Sequence, residues 1–225
     1  MEVNRPGELV ERAGKRKRNM EEKDKEIQLT EFFRKEVGVP RSVPMEEILA
    51  AVQVKRYEVG ENLYEYGKTP NELYFMLHGV IRGVEPDFEG KDITDCFVFR
   101  RGELIVPDNE LGVPSSLNIE ALEVCEVAAL PLETVWDLLQ RYPALILLYL
   151  KFFKSGADRH REIKRVRYKY SASQRYEWFL SRYPTLIDRI PHRYIASFLD
   201  MTPVTLSKCG KIPDNPKAAA LRKGD

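Results

Sequence analysis

Between Lys55 and Leu130 the chain carries seven short apolar stretches: Tyr57–Val59, Leu63–Tyr66, Leu73–Leu77, Val80–Val84, Ile93–Phe99, Ile119–Leu122 and Val124–Leu130. Gly, Pro, Asp and Asn close each of them off. Strands so short and so closely spaced can hide their apolar sides only by folding over one another, which predicts a small sandwich or barrel. His78-Gly79 falls between two of them as a hairpin turn, and Gly60, Gly67, Gly90, Gly102 and Gly112 punctuate the others. The outline is a double-stranded β-roll of the cupin-like, jelly-roll kind.

Around this roll the hydrophobic period changes to that of helices, so the fold class is α+β. Leu29, Phe32 and Phe33, then Ile48, Leu49 and Val52, predict two short helices separated by the Pro40–Pro44 loop. Leu132–Arg141 predicts another. Pro143 then opens a helix reaching about Tyr168, with Leu145, Ile146, Tyr149, Phe152, Phe153, Gly156, Ile163 and Val166 tending to one side. A helix of about 25 residues spans nearly 40 Å, more than the roll can cover, so its apolar stripe is expected to pair with the same helix of a second copy. Ser171 or Ser173 can cap a further helix through Tyr183. Ahead of all this, Met1–Lys25 is highly charged, contains the run Lys15-Arg16-Lys17-Arg18 and has almost no apolar periodicity; it reads as a mobile, solvated segment. The expected divisions are a charged segment over 1–26, the β-roll with flanking helices over 27–142, a dimerisation helix over 143–170 and a helical domain over 171–225.

Within that last part, IPHRYIASFLDMTPVTLSK, Ile190 to Lys208, reads as a helix-turn-helix. Tyr194, Ile195, Phe198 and Leu199 form the apolar face of the first helix, with Arg193 and Ser197 looking outward. Asp200-Met201 interrupts it. Thr202 can then cap a second helix whose first position is Pro203, where a missing N–H costs nothing. Leu206 packs back, leaving Val204, Thr205, Ser207 and Lys208 to face a DNA major groove. The local pattern also fits an ordinary helical hairpin.

Charge weighs in favour of DNA. Of 225 residues, 43% are hydrophobic and 32% charged, with a net charge of only +1, yet the signs are segregated. Glu58–Asp137 holds 5 Lys and Arg against 17 Asp and Glu, a net of −12, whereas Lys151–Asp225 holds 17 against 7, a net of +10. A basic end carrying a helix-turn-helix is the footprint of a polyanion binder; the two halves can also attract each other. Cys96, Cys125 and Cys209 are too scattered for a disulfide framework or a cysteine-ligated metal, and His78, His160 and His192 lie on separate elements. No Ser-His-Asp set, phosphate-cradling glycine loop or zinc motif appears, so neither an enzyme nor a cofactor is expected. The most apolar run, Ala144–Leu150, is too short to span a bilayer, and a cytoplasmic protein without membrane partners is expected.

The order of roll, long helix and helix-turn-helix resembles the Crp/Fnr family of transcription regulators. RYEWFLSRYP followed by IPHRYIASFLDMTPVTLSK is similar to members whose C-terminal domain reads IPQRYIASYLGITPESLSR. ELYFMLHGVIRG resembles the paired strands of their β-roll, and NIEALEVCEVAALP the approach to the long helix. The resemblance implies a homodimer on double-stranded DNA with a near-palindromic site, an effector in the roll, and RNA polymerase as a candidate further partner. It places Arg193 and Thr202 on phosphate, Thr205, Ser207 and Lys208 on base edges and Lys211 on the DNA backbone.

The departures are as informative. Cyclic-nucleotide-binding members carry Gly-Glu and Arg-Ser or Arg-Thr pairs, because Arg neutralises the cyclic phosphate; here Val106-Pro107 and Ser115-Ser116 fall at those places. Ser115 and Ser116 therefore mark an effector pocket without its cation, and an effector other than a cyclic nucleotide is expected. Lys208 replaces Arg, Val204 replaces Glu and Asp200 replaces the turn Gly. Gly210 and Pro213 would stop the recognition helix early, and the PDNPKAAALRKGD tail is too short for the usual two-stranded wing. A dimeric β-roll sensor or interaction module with degraded DNA binding is the alternative reading.

Overall fold

The computed structural model describes residues 23–86, 92–107 and 111–210. Most of the expected N-terminal segment and the tail from Lys211 onward lie outside the described residues. Helix α1 covers residues 23–37, and its last part, Phe32–Val37, is wound as a π-helix. Helix α2 is Met45–Ala51. The strands are β1 (Gln53–Tyr57), β2 (Asn62–Tyr64), β3 (Glu72–His78), β4 (Ile81–Pro86), β5 (Asp92–Val98), β6 (Leu104–Ile105), β7 (Asn118–Ala121) and β8 (Cys125–Pro131). After them come α3 (Leu132–Arg141), α4 (Pro143–Lys169), α5 (Ala172–Arg182), α6 (His192–Phe198) and α7 (Pro203–Gly210).

Two antiparallel four-stranded sheets, ordered β1-β8-β3-β6 and β2-β7-β4-β5, face each other. Strands β3 and β8 read as nearly continuous apolar runs because both of their faces are covered, as happens when a sheet has packing on each side. Along β3, Tyr74 and Met76 turn into the roll while Leu73 and Phe75 turn outward under helices α1 to α4; along β8, Val127 and Ala129 turn inward and Ala128 and Leu130 outward. The second sheet is covered in turn: Val80 and Phe97 leave the roll interior and join Phe179, Tyr183, Ile195 and Phe198 of the C-terminal helices in one core. The layers thus run helices, sheet, sheet, helices.

The β3–β4 hairpin shows why the turn at position 79 is glycine. Gly79 has φ 119°, and a Cβ there would lie 2.4 Å from the Cys125 sulfur. Its neighbour His78 is exposed. Strand β1 ends at Tyr57, earlier than the apolar stretch 57–59 suggests, because Gly60 (φ 87°) turns the chain and leaves Val59 in solvent. Burial pushes the Cys125 thiol up to about 11 and, with Asp95 adding to it, the Cys96 thiol up to about 12; both stay protonated and unreactive at neutral pH.

Helix α4 runs 27 residues, about 40 Å, and its apolar residues do not share one side. Leu145, Leu148 and Phe152 pack on the roll's helical cover, and Ile163 and Val166 are buried further along. Ile146, Leu147, Leu150 and Phe153 point away, 41–71% exposed. The single stripe expected from the sequence is therefore split, and half of its members are committed to their own subunit. Among the described residues no helix is long and apolar enough to cross a membrane.

Candidate nucleic-acid interface

Helix α5 starts on a capping box: Ser171 Oγ accepts from Gln174 N, and Ser171 N donates to Gln174 Oε1 at 2.9 Å. Its Arg175 reaches the turn of the helix-turn-helix, donating to the carbonyls of Leu199 (2.6 Å) and Asp200 (2.8 Å). That turn is a Schellman motif, with Met201 N on Ala196 O and Asp200 N on Ser197 O. It forces Asp200 to φ 52°, the one non-glycine positive φ among the described residues. The Gly of the similar sequences is thus replaced here by a residue type that tolerates the left-handed region better than most.

Helix α7 begins as the sequence predicts, with Thr202 Oγ1 accepting from Thr205 N at 3.1 Å and Pro203 at the first helical position. Leu206 and Cys209 are buried, while Val204, Ser207 and Lys208 are exposed. Thr205 is half-buried and its hydroxyl pairs with that of Thr202 at 2.9 Å. Thr202, Thr205, Ser207 and Lys208 are thereby gathered on one short helix. Arg193 sits exposed at the start of α6, donating to Tyr194 Oη at 2.8 Å with its guanidinium over that ring. Lys211 lies outside the described residues.

The other surface of α6 is occupied. It lies along β5, and Ser197, expected to look outward, is half-buried: its hydroxyl accepts from Thr94 N (2.9 Å) and donates to Asp92 O (3.3 Å). Arg167 of α4 ties the same junction, donating to Phe198 O (2.8 Å) and Thr94 O (3.1 Å). Arg82, buried on β4, holds Glu120, Thr94 and Asp92 and lies 3.7 Å from the centroid of the Tyr194 ring. Arg82 is the residue that sequence reading missed. In IRGV an alternating Arg looks like a solvent-facing position, and only the docked helix makes it a buried one. Arg189 and Glu123 pair across the same boundary, so the two charged halves do meet.

A second feature is a groove of about 470 Å³ between the β5–β6 edge and α4. Val98, Leu104 and Phe152 give it apolar walls, and three of its four arginines face carboxylates: Arg101 with Glu36, Arg159 with Glu103, Arg182 with Glu162, while Arg100 lies over the Phe99 ring. Val106 and Pro107 line it. Ser115 does not. It is buried, donates to Leu117 O at 2.5 Å, and braces the β2–β3 loop through Gly67 N and Lys68 O. Ser116 is exposed. Among the described residues no group of His, Cys, Asp and Glu could hold a metal.

Residues 54–142 match the family model described as the cyclic nucleotide-binding domain. No curated protein sequence matches the chain. Among solved structures it is similar to FixK2 from Bradyrhizobium japonicum, at 17% identity and a TM-score of 0.61, covering 77% of this chain and 89% of that one. CLP from Xanthomonas campestris gives 15% and 0.58, covering 79% and 92%. A CooA mutant from Carboxydothermus hydrogenoformans gives 18% and 0.55, covering 73% and 75%. The fold as a whole is shared with these solved structures, β-roll first and helical domain last.

Among the described residues, the positions that resemble a cyclic-nucleotide cassette carry no cation. A cyclic phosphate needs a cation and free backbone N–H groups around it. The cassette positions instead present Val106, Pro107 and a Ser115 already engaged, and three of the groove's arginines are met by carboxylates. Inside the roll, Tyr64 and Tyr74 fill the space between the sheets with ring centroids 4.9 Å apart.

Proposed function

We propose that this protein is a sequence-specific, DNA-binding transcription regulator of Crp/Fnr type that acts as a homodimer and answers to an effector other than a cyclic nucleotide. The observation that carries the reading is α7. Its buried Leu206 and Cys209 anchor it, its outward face is Val204, Ser207 and Lys208, and the Asp200 turn and Thr202 cap set its start. This is the arrangement by which a recognition helix enters a major groove. Val204 adds an apolar tip suited to a thymine methyl, and Lys208 a point charge for guanine or phosphate.

The roles differ in a way that binding measurements separate. Lys208→Ala is expected to relax base preference at one position of each half-site, weakening the preferred sequence about tenfold or more, as loss of one base contact does. Arg193→Ala is expected to weaken all sequences alike and to lower the salt slope by about 1 per half-site. Fluorescence anisotropy on a set of single-base variants at several salt concentrations checks both; an unchanged sequence profile for Lys208→Ala removes it from the reading set.

The neighbour CLP is described as a c-di-GMP responsive global regulator, which is a property of that protein. For this chain the effector is assigned to the groove between the β5–β6 edge and α4, whose balanced charges and apolar walls suit a largely uncharged polar molecule. Calorimetric titration with cyclic AMP and cyclic GMP is expected to give no micromolar binding, and micromolar affinity for either overturns that part of the proposal. The dimer is assigned to Ile146, Leu147, Leu150 and Phe153 of α4, an exposed apolar row on a helix long enough to pair with its copy.

A further inference from the structure

Between the outer face of the β3–β8 pair and helices α1, α3 and α4 lies a cavity of about 70 Å³. Phe33, Val37, Leu73, Val135, Leu138 and Phe152 are among its walls, and the only side-chain polar atom there is the hydroxyl of Tyr149. Closely packed interiors leave few voids larger than one water, and a buried water needs two to four polar partners, which these walls do not supply. The cavity is open on one side, so a guest can enter it from solvent, and its apolar walls favour an apolar guest over water.

One wall is also unusual in its backbone. Phe33 and Val37 come from the π-helical segment Phe32–Val37, a winding that is rare and concentrates at functional sites. The segment is held from outside: Arg34 donates to the carbonyls of Val39 (3.2 Å), Pro40 and Val43 (2.8 Å), and Gly102 of the β5–β6 turn presses so close that a Cβ would lie 2.8 Å from Glu36. The cavity shares Leu104, Tyr149 and Phe152 with the charged groove yet has the opposite chemistry.

We propose that this cavity is a binding site for a small, uncharged, apolar molecule, separate from the groove. Its volume is about half that of an engineered cavity of about 150 Å³ that holds benzene or xenon, so the unaltered site takes xenon or a short aliphatic molecule and leaves no room for an aromatic ring. The test is methyl NMR of the full chain under xenon pressure, with benzene as a second probe. Saturable shifts are expected at the methyls of Val135, Leu138 and Leu148, and Val135→Phe, which fills the space, is expected to abolish them. Leu138→Ala, which enlarges it, is expected to bind benzene at least tenfold more tightly than the unaltered protein; this comparison decides if Val135→Phe does not fold. Absence of shifts at those methyls, shifts that survive Val135→Phe, or shifts that appear only in the Leu150→Glu monomer, where a second copy no longer plugs the space, each overturn the site.

Discussion

Replacing Phe198 by alanine is expected to lower stability by about 3–5 kcal/mol, the range for deleting a large buried aromatic side chain. Phe198 is fully buried, with ring centroids of Phe97, Tyr183, Phe179 and Trp178 at 5.1, 5.7, 6.0 and 6.3 Å. Phe97 belongs to the roll, the other three to α5 and its C-terminal end. The hole would therefore open in a core that both halves share. At about 2–4 °C per kcal/mol for a chain of this size, the midpoint of thermal unfolding should fall by roughly 10 °C. Roll and helices should also melt together, because neither keeps an intact core without the other. The exposed Phe153, at 41%, supplies the contrast: Phe153→Ala should change the stability of a single subunit by no more than about 0.5 kcal/mol. Thermal denaturation followed by near-ultraviolet circular dichroism and calorimetry checks this. A loss under 1 kcal/mol for Phe198→Ala, or two well separated transitions in the unaltered protein, would contradict the shared core.

Leu150→Glu is expected to turn the proposed dimer into a monomer and to weaken binding to a two-fold-symmetric DNA site by about 10²- to 10⁴-fold, the avidity gained when two reading heads are linked. Leu150 is 52% exposed beside Ile146 and Phe153 on the outward side of α4. A carboxylate there costs the single subunit little. In a paired helix the same charge would be buried without a partner, which is strongly unfavourable. Sedimentation equilibrium and half-site against full-site binding separate the two expectations. A dimer that persists in Leu150→Glu would place the interface elsewhere, and a monomer that keeps full-site affinity would sink the two-head account.

How much of this the sequence shows depends on the range of the interaction. Thr202 and Pro203 are readable because caps act within three or four residues, and of the two cap candidates Ser171 and Ser173 the structure uses Ser171. Six of the eight strands are readable from the apolar runs; β1, Gln53–Tyr57, shares only Tyr57 with the run 57–59. The eighth, Leu104–Ile105, is two residues long and offers no period to detect. Long-range packing was not readable. Whether Leu145 or Ile146 faces the subunit's own core depends on where α3 and the first sheet lie, and Ser197 and Arg82 take their roles from the docking of α6 on β5, 103 residues apart for the Ser197–Thr94 bond. Asp200 was visible as a substitution for Gly, but its left-handed backbone was not.

The docked arrangement also bears on mechanism. The surface of α6 opposite α7's reading face is spent on the roll, through Ser197, Tyr194 and the Arg167 bonds. A change in the groove beside α4 thus has a continuous packed route to α7, the proposed recognition helix, through Ile163 and the aromatic core around Phe198. Coupling of this kind is a free-energy relation between two sites and must appear in both directions: an effector that tightens DNA binding is itself bound more tightly in the presence of DNA.

The central claim is that α7 reads sequence from a symmetric dimer. It is tested most directly by selecting bound fragments from random and genomic DNA with the purified full-length protein at two salt concentrations, since phosphate contacts alone weaken steeply with salt. Enrichment is expected of a two-fold-symmetric motif, with half-sites about one helical turn apart, that survives the higher salt. Salt-sensitive binding with no motif, or no binding, would contradict it and favour the β-roll as a sensor or interaction module that has lost its DNA.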